Sequence, residues 1–135
     1  MRKRKSPGNA SPPPIPFAVW ASPDAVKPGR AEDDPRAPAF TLFARGDLDM
    51  ETVMIFREAA FTLIGNRPGA LLLDLSAVPF VDTTGLSALV TVARVAKLVQ
   101  IPVQVLPSPH LRRVLRTTGL VQVLPLAPGA IEEPG

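Results

Sequence analysis

The chain contains no cysteine and no tyrosine, and among its 135 residues there is one histidine and one tryptophan. Without cysteine there is no disulfide, no thiolate metal ligand and no thiol nucleophile, a composition that suits a reducing compartment. His110 is the single imidazole, and it is read as a solvent-facing residue in the first turn of a basic amphipathic helix. No Gly-x-Ser-x-Gly elbow, Walker phosphate loop or His-Glu-x-x-His helix occurs. A nucleophile without a base is not an active site, so the sequence predicts no catalytic residues, no metal and no cofactor. Long apolar runs are missing too: Arg94 and Lys97 interrupt the most apolar stretch, Leu86 to Leu106, well short of the roughly 18 residues a membrane span needs. Met1-Arg2-Lys3-Arg4-Lys5 has the charge of a secretory leader, but Pro7, Gly8 and Pro12-Pro13-Pro14 stand where its apolar segment belongs. The expected location is the cytoplasm.

What is present is an uneven charge. The net charge is +3. Residues 1–38 carry seven Lys and Arg against four Asp and Glu, whereas residues 39–135 carry eight of each. The basic excess therefore belongs to the N-terminal segment, which also holds nine of the 17 prolines. A chain so rich in proline, which donates no backbone hydrogen bond, is expected to be a disordered basic tail over 1–38. Specific nucleic-acid recognition is not predicted, because the remainder is formally neutral.

Within that segment Phe17-Ala18-Val19-Trp20 is apolar enough to suggest an edge strand. The globular domain is expected over 39–126, with 127–135 as a C-terminal tail. Phe40-Thr41-Leu42-Phe43-Ala44 reads as a strand. Asp49 caps the helix that follows, with Met50, Val53, Met54, Phe56, Ala60, Leu63 and Ile64 as its apolar face and Gly65-Asn66 as its stop. Ala70 to Leu75 has no alternation, which predicts a central strand covered on both faces. A second helix begins at Asp82-Thr83-Thr84-Gly85 and runs to about Val99, with Leu86, Leu89, Val90, Ala93, Val95 and Ala96 inward. Val103 to Leu106 is the next strand. Ser108 caps a third helix with Pro109 in its first position, Leu111, Val114 and Leu115 inward, and Gly119 at its end. Val121 to Leu126 closes the domain as a strand or a short helical turn. Strands alternating with helices of this length predict an α/β fold, a mixed, mostly parallel sheet of four to five strands flanked by helices.

One segment combines a helix start with reactive oxygen. In Val81-Asp82-Thr83-Thr84-Gly85-Leu86, Asp82 or Thr83 can accept a hydrogen bond from the first free amides, with Gly85 allowing close backbone approach. That capping role is one reading. The other is that a hydroxyl at Thr84 stands where amides and the positive dipole end gather, so a phosphoryl group would be tolerated there. Such a group adds about −1.5 to −2 charges at neutral pH, enough to spoil docking to another protein without unfolding the domain.

The run from Leu71 to Leu86, with Asp74-Leu75-Ser76 and Asp82-Thr83-Thr84-Gly85-Leu86, resembles the phosphorylation segment of the STAS family, whose usual pattern is Asp-Leu-Ser followed by Asp-Ser-Ser-Gly-Leu. Gly46-Asp47-Leu48-Asp49 resembles the family's Gly-Glu-Leu-Asp turn. Pro107-Ser108-Pro109 with Val114 to Leu120 resembles its C-terminal helix and Thr-Gly-Leu ending. The resemblance implies an anti-sigma factor antagonist: unphosphorylated, it captures an anti-sigma factor that is itself a serine/threonine kinase, freeing a sigma factor, and a protein phosphatase reverses the mark. Carried over by position, the acceptor is Thr84, with Thr83 the lesser candidate, and the partner-binding set is Asp47, Asp49, Asp82, Thr83, Thr84, Gly85 and Leu86. The departure is threonine for serine at both hydroxyl positions, which adds a methyl group and a stiffer rotamer choice. The implied species is a monomer or weak dimer.

Two other functions compete. A STAS subunit of a transporter or stress-signalling scaffold would use the domain structurally and leave Thr84 silent. A receiver-like phosphorelay domain would use Asp74 or Asp82 as acceptor, but it needs clustered acidic ligands and a nearby lysine, and Lys97 is the one lysine of the folded part.

Overall fold

The computed structural model describes residues 16–23 and 39–128. Strand β1 (Ala18–Pro23) pairs antiparallel with β2 (Ala39–Arg45), which runs parallel to β3 (Ala70–Ala77), itself parallel to β4 (Val103–Pro107). The spatial order is β1-β2-β3-β4, a mixed four-stranded sheet. Helices α1 (Val53–Gly65), α2 (Thr83–Leu98) and α3 (Pro109–Thr118) follow β2, β3 and β4. The α/β fold and its mostly parallel sheet are as expected from the sequence.

The apolar segment suggested as an edge strand does enter the sheet, as Ala18–Pro23. Trp20 lies opposite Phe43 in the β1–β2 register, and their rings stack with centroids 5.3 Å apart and planes 7° apart. Residues 18–23, inside the stretch expected to be tail, are therefore strand, because a cross-strand aromatic pair favours pairing that proline content alone argues against. The rest of that stretch, 1–15 and 24–38, lies outside the described residues.

The two parallel connections step in one direction along the sheet, and α1 and α2 touch each other, as expected of helices that right-handed crossovers put on one face. Leu71, Leu73 and Leu75 are buried there, while Leu72 and Asp74 between them are half-buried. Burial of β3 thus alternates, contrary to the expectation of a strand covered equally on both faces. Opposite Leu73 in the register stand Leu42 on β2 and Val105 on β4, all three buried. The helices add Phe56, Ala60 and Leu63 from α1, Leu89, Val92 and Ala96 from α2, and Leu111 and Leu115 from α3.

The apolar faces differ from the expected ones at particular residues. Met50 and Met54 are 66% and 65% exposed, so the inward face of α1 is Val53, Phe56, Ala60, Leu63 and Ile64. Leu86, Val90, Val95 and Val114 are half-buried. Ser108 Oγ accepts from the Leu111 amide at 3.2 Å and Gly119 ends α3 with φ of 79°, as their residue types require. The chain then makes a 3-10 turn (Leu120–Gln122) and a single parallel bridge from Leu126 to Val105. Both alternatives for the closing segment are used in sequence. The Ala127 amide donates to the Val105 carbonyl at 2.8 Å, and Ala127 is buried, so the folded region reaches one residue into the stretch expected to be C-terminal tail.

Candidate functional site

Both crossover helices run back across the sheet, so α1 and α2 begin at the same end, beyond the C-terminal ends of β2 and β3. The two sequence motifs meet there. Gly46, at φ of 97°, turns the chain out of β2 in a conformation that L-residues with a Cβ rarely adopt. Its amide donates to the Ala77 carbonyl at 3.1 Å, and the Leu48 amide donates to the Phe80 carbonyl at 3.0 Å. The Asp82 amide then donates to the Leu48 carbonyl at 3.2 Å, and Leu48 bridges to Val81 in parallel fashion. Leu48 and Val81 are both buried. Burial of a leucine side chain contributes roughly 1.5–3 kcal/mol, so this residue anchors the loop as well as filling the core.

Gly85 completes the junction. A Cβ built on it would stand 2.9 Å from Leu48 Cγ and closer still to the Leu48 carbonyl oxygen. Only glycine lets α2 start this near the β2–α1 loop. Asp82 is the N-cap of α2: its Oδ1 accepts from the Gly85 amide at 2.8 Å, and its carbonyl accepts from Leu86 at 2.9 Å. Of the two candidate caps, the aspartate is the one used.

Asp49 stands at the head of the turn that leads into α1. Its Oδ1 accepts from the amides of Glu51 at 3.0 Å and Thr52 at 3.2 Å. Thr52 answers reciprocally: its Oγ1 accepts from the Asp49 amide at 3.0 Å and donates to the Asp47 carbonyl at 2.8 Å. The reciprocal pattern is that of a capping box, with threonine in the place of the usual Glu or Gln. Asp49, expected to cap the helix, instead holds the turn that leads into it: regular helix begins at Val53, and Thr52 at its N-cap makes no side-chain cap bond to it. Thr52 is absent from the set expected from sequence, and the Asp-x-x-Thr spacing is the signal that points to it.

Around this scaffold Asp47, Thr83 and Thr84 are exposed, and Asp49, Asp82 and Leu86 are half-buried. Gly85 is buried. The set named from sequence is thus gathered at one end of the domain, with the threonines outward and the glycine inward. His110 is placed differently from expectation. It is half-buried, its ring lies 5.5 Å from that of Phe80 at 31°, and its Nε2 is buried without a hydrogen-bond partner. The Phe80 loop, folded over the start of α3, takes the space that the helix pattern assigns to solvent. Asp74 Oδ1 accepts from the Ser76 amide at 3.1 Å and from its hydroxyl at 2.7 Å, a turn-stabilising role. Among the described residues no three His, Cys, Asp or Glu side chains gather closely enough to hold a metal ion, and no helix is long and apolar enough to cross a membrane.

A mixed four-stranded sheet whose two crossover helices share a face, with a capped helix mouth presenting two exposed threonines, defines a small α/β domain with its candidate site at a loop junction. Residues 30–130 match the STAS domain model, and the chain belongs to that family. The crystal structure of an anti-sigma factor antagonist from Mycobacterium paratuberculosis superposes with a TM-score of 0.66 at 23% identity, covering 84% of this chain and 86% of the other. The Bacillus cell fate determinant SpoIIAA in its phosphorylated form superposes at 0.53 with 22% identity, covering 67% of this chain and 84% of the other. At these identities the likeness is one of fold. No curated protein sequence matches.

Proposed function

We propose that this protein is a cytoplasmic anti-sigma factor antagonist that acts by binding. In its unphosphorylated form it captures an anti-sigma factor of the serine/threonine kinase type, and phosphorylation at Thr84 releases it, so that sigma-factor-dependent transcription follows the state of one hydroxyl. The observation that carries this reading is the division of labour at the mouth of α2. Thr84 is exposed, whereas the neighbouring Asp82 and Gly85 are tied to Leu48. The kinase transfers the γ-phosphoryl group of ATP to Thr84 Oγ1; ADP leaves and the hydroxyl proton passes to a base of the kinase. A phosphatase returns the hydroxyl by hydrolysis.

The added dianion sits at the positive end of the α2 dipole, so the fold tolerates it. The docking surface does not, because desolvating that charge against a partner that also holds nucleotide phosphates is unfavourable by several kcal/mol. Thr83, the second exposed hydroxyl, is the lesser acceptor. Asp47, Asp49, Asp82 and Leu86 supply the partner-facing rim, and Gly85 serves by bringing α2 close to the loop. The fold likeness to the mycobacterial antagonist and to the phosphorylated Bacillus protein supports this cycle.

The test is incubation with the anti-sigma kinases of the same cell and ATP, comparing wild type, Thr84→Ala and Thr84→Asp. Labelling should vanish in both variants; Thr84→Ala should bind the kinase and Thr84→Asp should not. Binding of Thr84→Asp at wild-type affinity would defeat the switch.

A further inference from the structure

The outer side of the start of α1, with the turn that leads into it, carries large apolar residues that the core does not use. Met50 and Met54 are 66% and 65% exposed, and Ile55 is 48% exposed. The chain turns at Asp49, whose carbonyl accepts from Val53 at 2.8 Å, so Met50 stands in the turn that leads into α1 and Met54 in the first turn of the helix itself. Glu51 lies in the same turn as Met50 and is exposed, and Ile55 follows Met54 in the helix. Phe61, half-buried with the Arg57 guanidinium 5.7 Å over its ring, lies further along the helix, and Met54, Arg57, Glu58, Phe61 and Thr62 line a shallow open groove along it. Exposed large side chains gathered in this way mark interaction surfaces, and flexible methionines suit docking against a partner's apolar socket.

Two features say what the ridge fits. It starts at Met50, next to Asp49 and at the end of the domain where Thr84 is exposed. The charged residues at that end are mainly acidic, Asp47, Asp49, Glu51 and Asp82 with Arg45, while Arg57 and Glu58 offset one another along the groove. An apolar ridge with a mainly acidic flank is complementary to an apolar socket bordered by lysine or arginine.

We propose that Met50, Met54 and Ile55 are the anchor by which the kinase partner holds this protein, inserted into an apolar socket with a basic border, while Thr84 is a separate switch. This rests on the function proposed above. The ridge supplies affinity whatever the state of Thr84, and the hydroxyl decides whether the docked complex persists. Anchoring residues of this kind dominate binding energy when truncated or charged.

The full-length chain, its Met54→Asp and Met50→Asp variants, and Thr84→Asp are each titrated against the anti-sigma kinase that the wild type binds. Each methionine variant should weaken binding by about tenfold or more and slow Thr84 labelling at limiting concentration, with an unchanged thermal melt since both side chains face solvent. A Glu51→Lys variant should weaken binding further at low salt than at high salt. Wild-type affinity in both methionine variants overturns the anchor while leaving the switch intact. Wild-type affinity in Thr84→Asp alone overturns the switch while leaving the anchor. A dimer of the free protein that Met54→Asp converts to monomer, seen by light scattering, would assign the ridge to a second copy of this chain and overturn the proposal.

Discussion

Gly85 and Leu48, 37 positions apart in the chain, are packed so that no side chain fits between the start of α2 and the β2–α1 loop. The contact joins the two halves of the candidate site. It also makes the junction brittle, because the nearest atoms include the Leu48 carbonyl, which is backbone and is already engaged by the Asp82 amide.

Gly85→Ala should therefore destabilise the domain by about 1–3 kcal/mol, the usual range for forced overpacking, despite alanine's better helix propensity. Urea unfolding followed by circular dichroism measures it. An unchanged midpoint would mean that α2 can slide away from Leu48 at no cost.

Asp82 caps α2 through its carboxylate. Asp82→Ala should lose about 1 kcal/mol, and Asp82→Asn should recover most of it, since an amide oxygen accepts the Gly85 amide equally well. If both variants lose kinase binding but only alanine loses stability, the carboxylate charge contributes to docking as well as to capping.

Thr84→Asp should leave the fold intact and shift stability by no more than a few tenths of a kcal/mol in the favourable direction, because an anion in the first helical turn is stabilised by the dipole. Chemical denaturation of the variant beside wild type tests this. A loss above about 2 kcal/mol would show that the threonine side chain has a structural task its exposure does not suggest.

Trp20 is the one tryptophan, so intrinsic fluorescence reports β1 alone. Fluorescence and circular dichroism should give coincident unfolding curves if β1 belongs to the cooperative unit. Trp20→Ala should cost about 1 kcal/mol through loss of the stack on Phe43. A fluorescence change well ahead of the main transition would make β1 a fraying edge.

Much of the architecture is legible in the chain's local chemistry. Ser108-Pro109 and Gly119 bracket α3 through a hydroxyl cap, a preset φ and a left-handed C-terminus, and each acts within a few residues of itself. Asp82 is readable as a cap for the same reason. The inward placement expected of Met54 fails because a helix with apolar residues on several sides has no single face by periodicity, and the sheet selects Val53 and Phe56 instead. Thr52, which bonds back to Asp49 and Asp47, is signalled by the Asp-x-x-Thr spacing, whereas Phe80 belongs to no local pattern and acts by covering His110.

Sequence by itself determined the elements, their caps and the α/β alternation, since these depend on contacts spanning a turn or two of chain. Tertiary structure alone decided that Leu48 seats beneath Gly85, that the Trp20 strand closes on β2, and that Met50 and Met54 are left in water. The reason is physical: each outcome depends on how the sheet orders its strands and on which face the two crossover helices share, and no window of neighbouring residues contains that information.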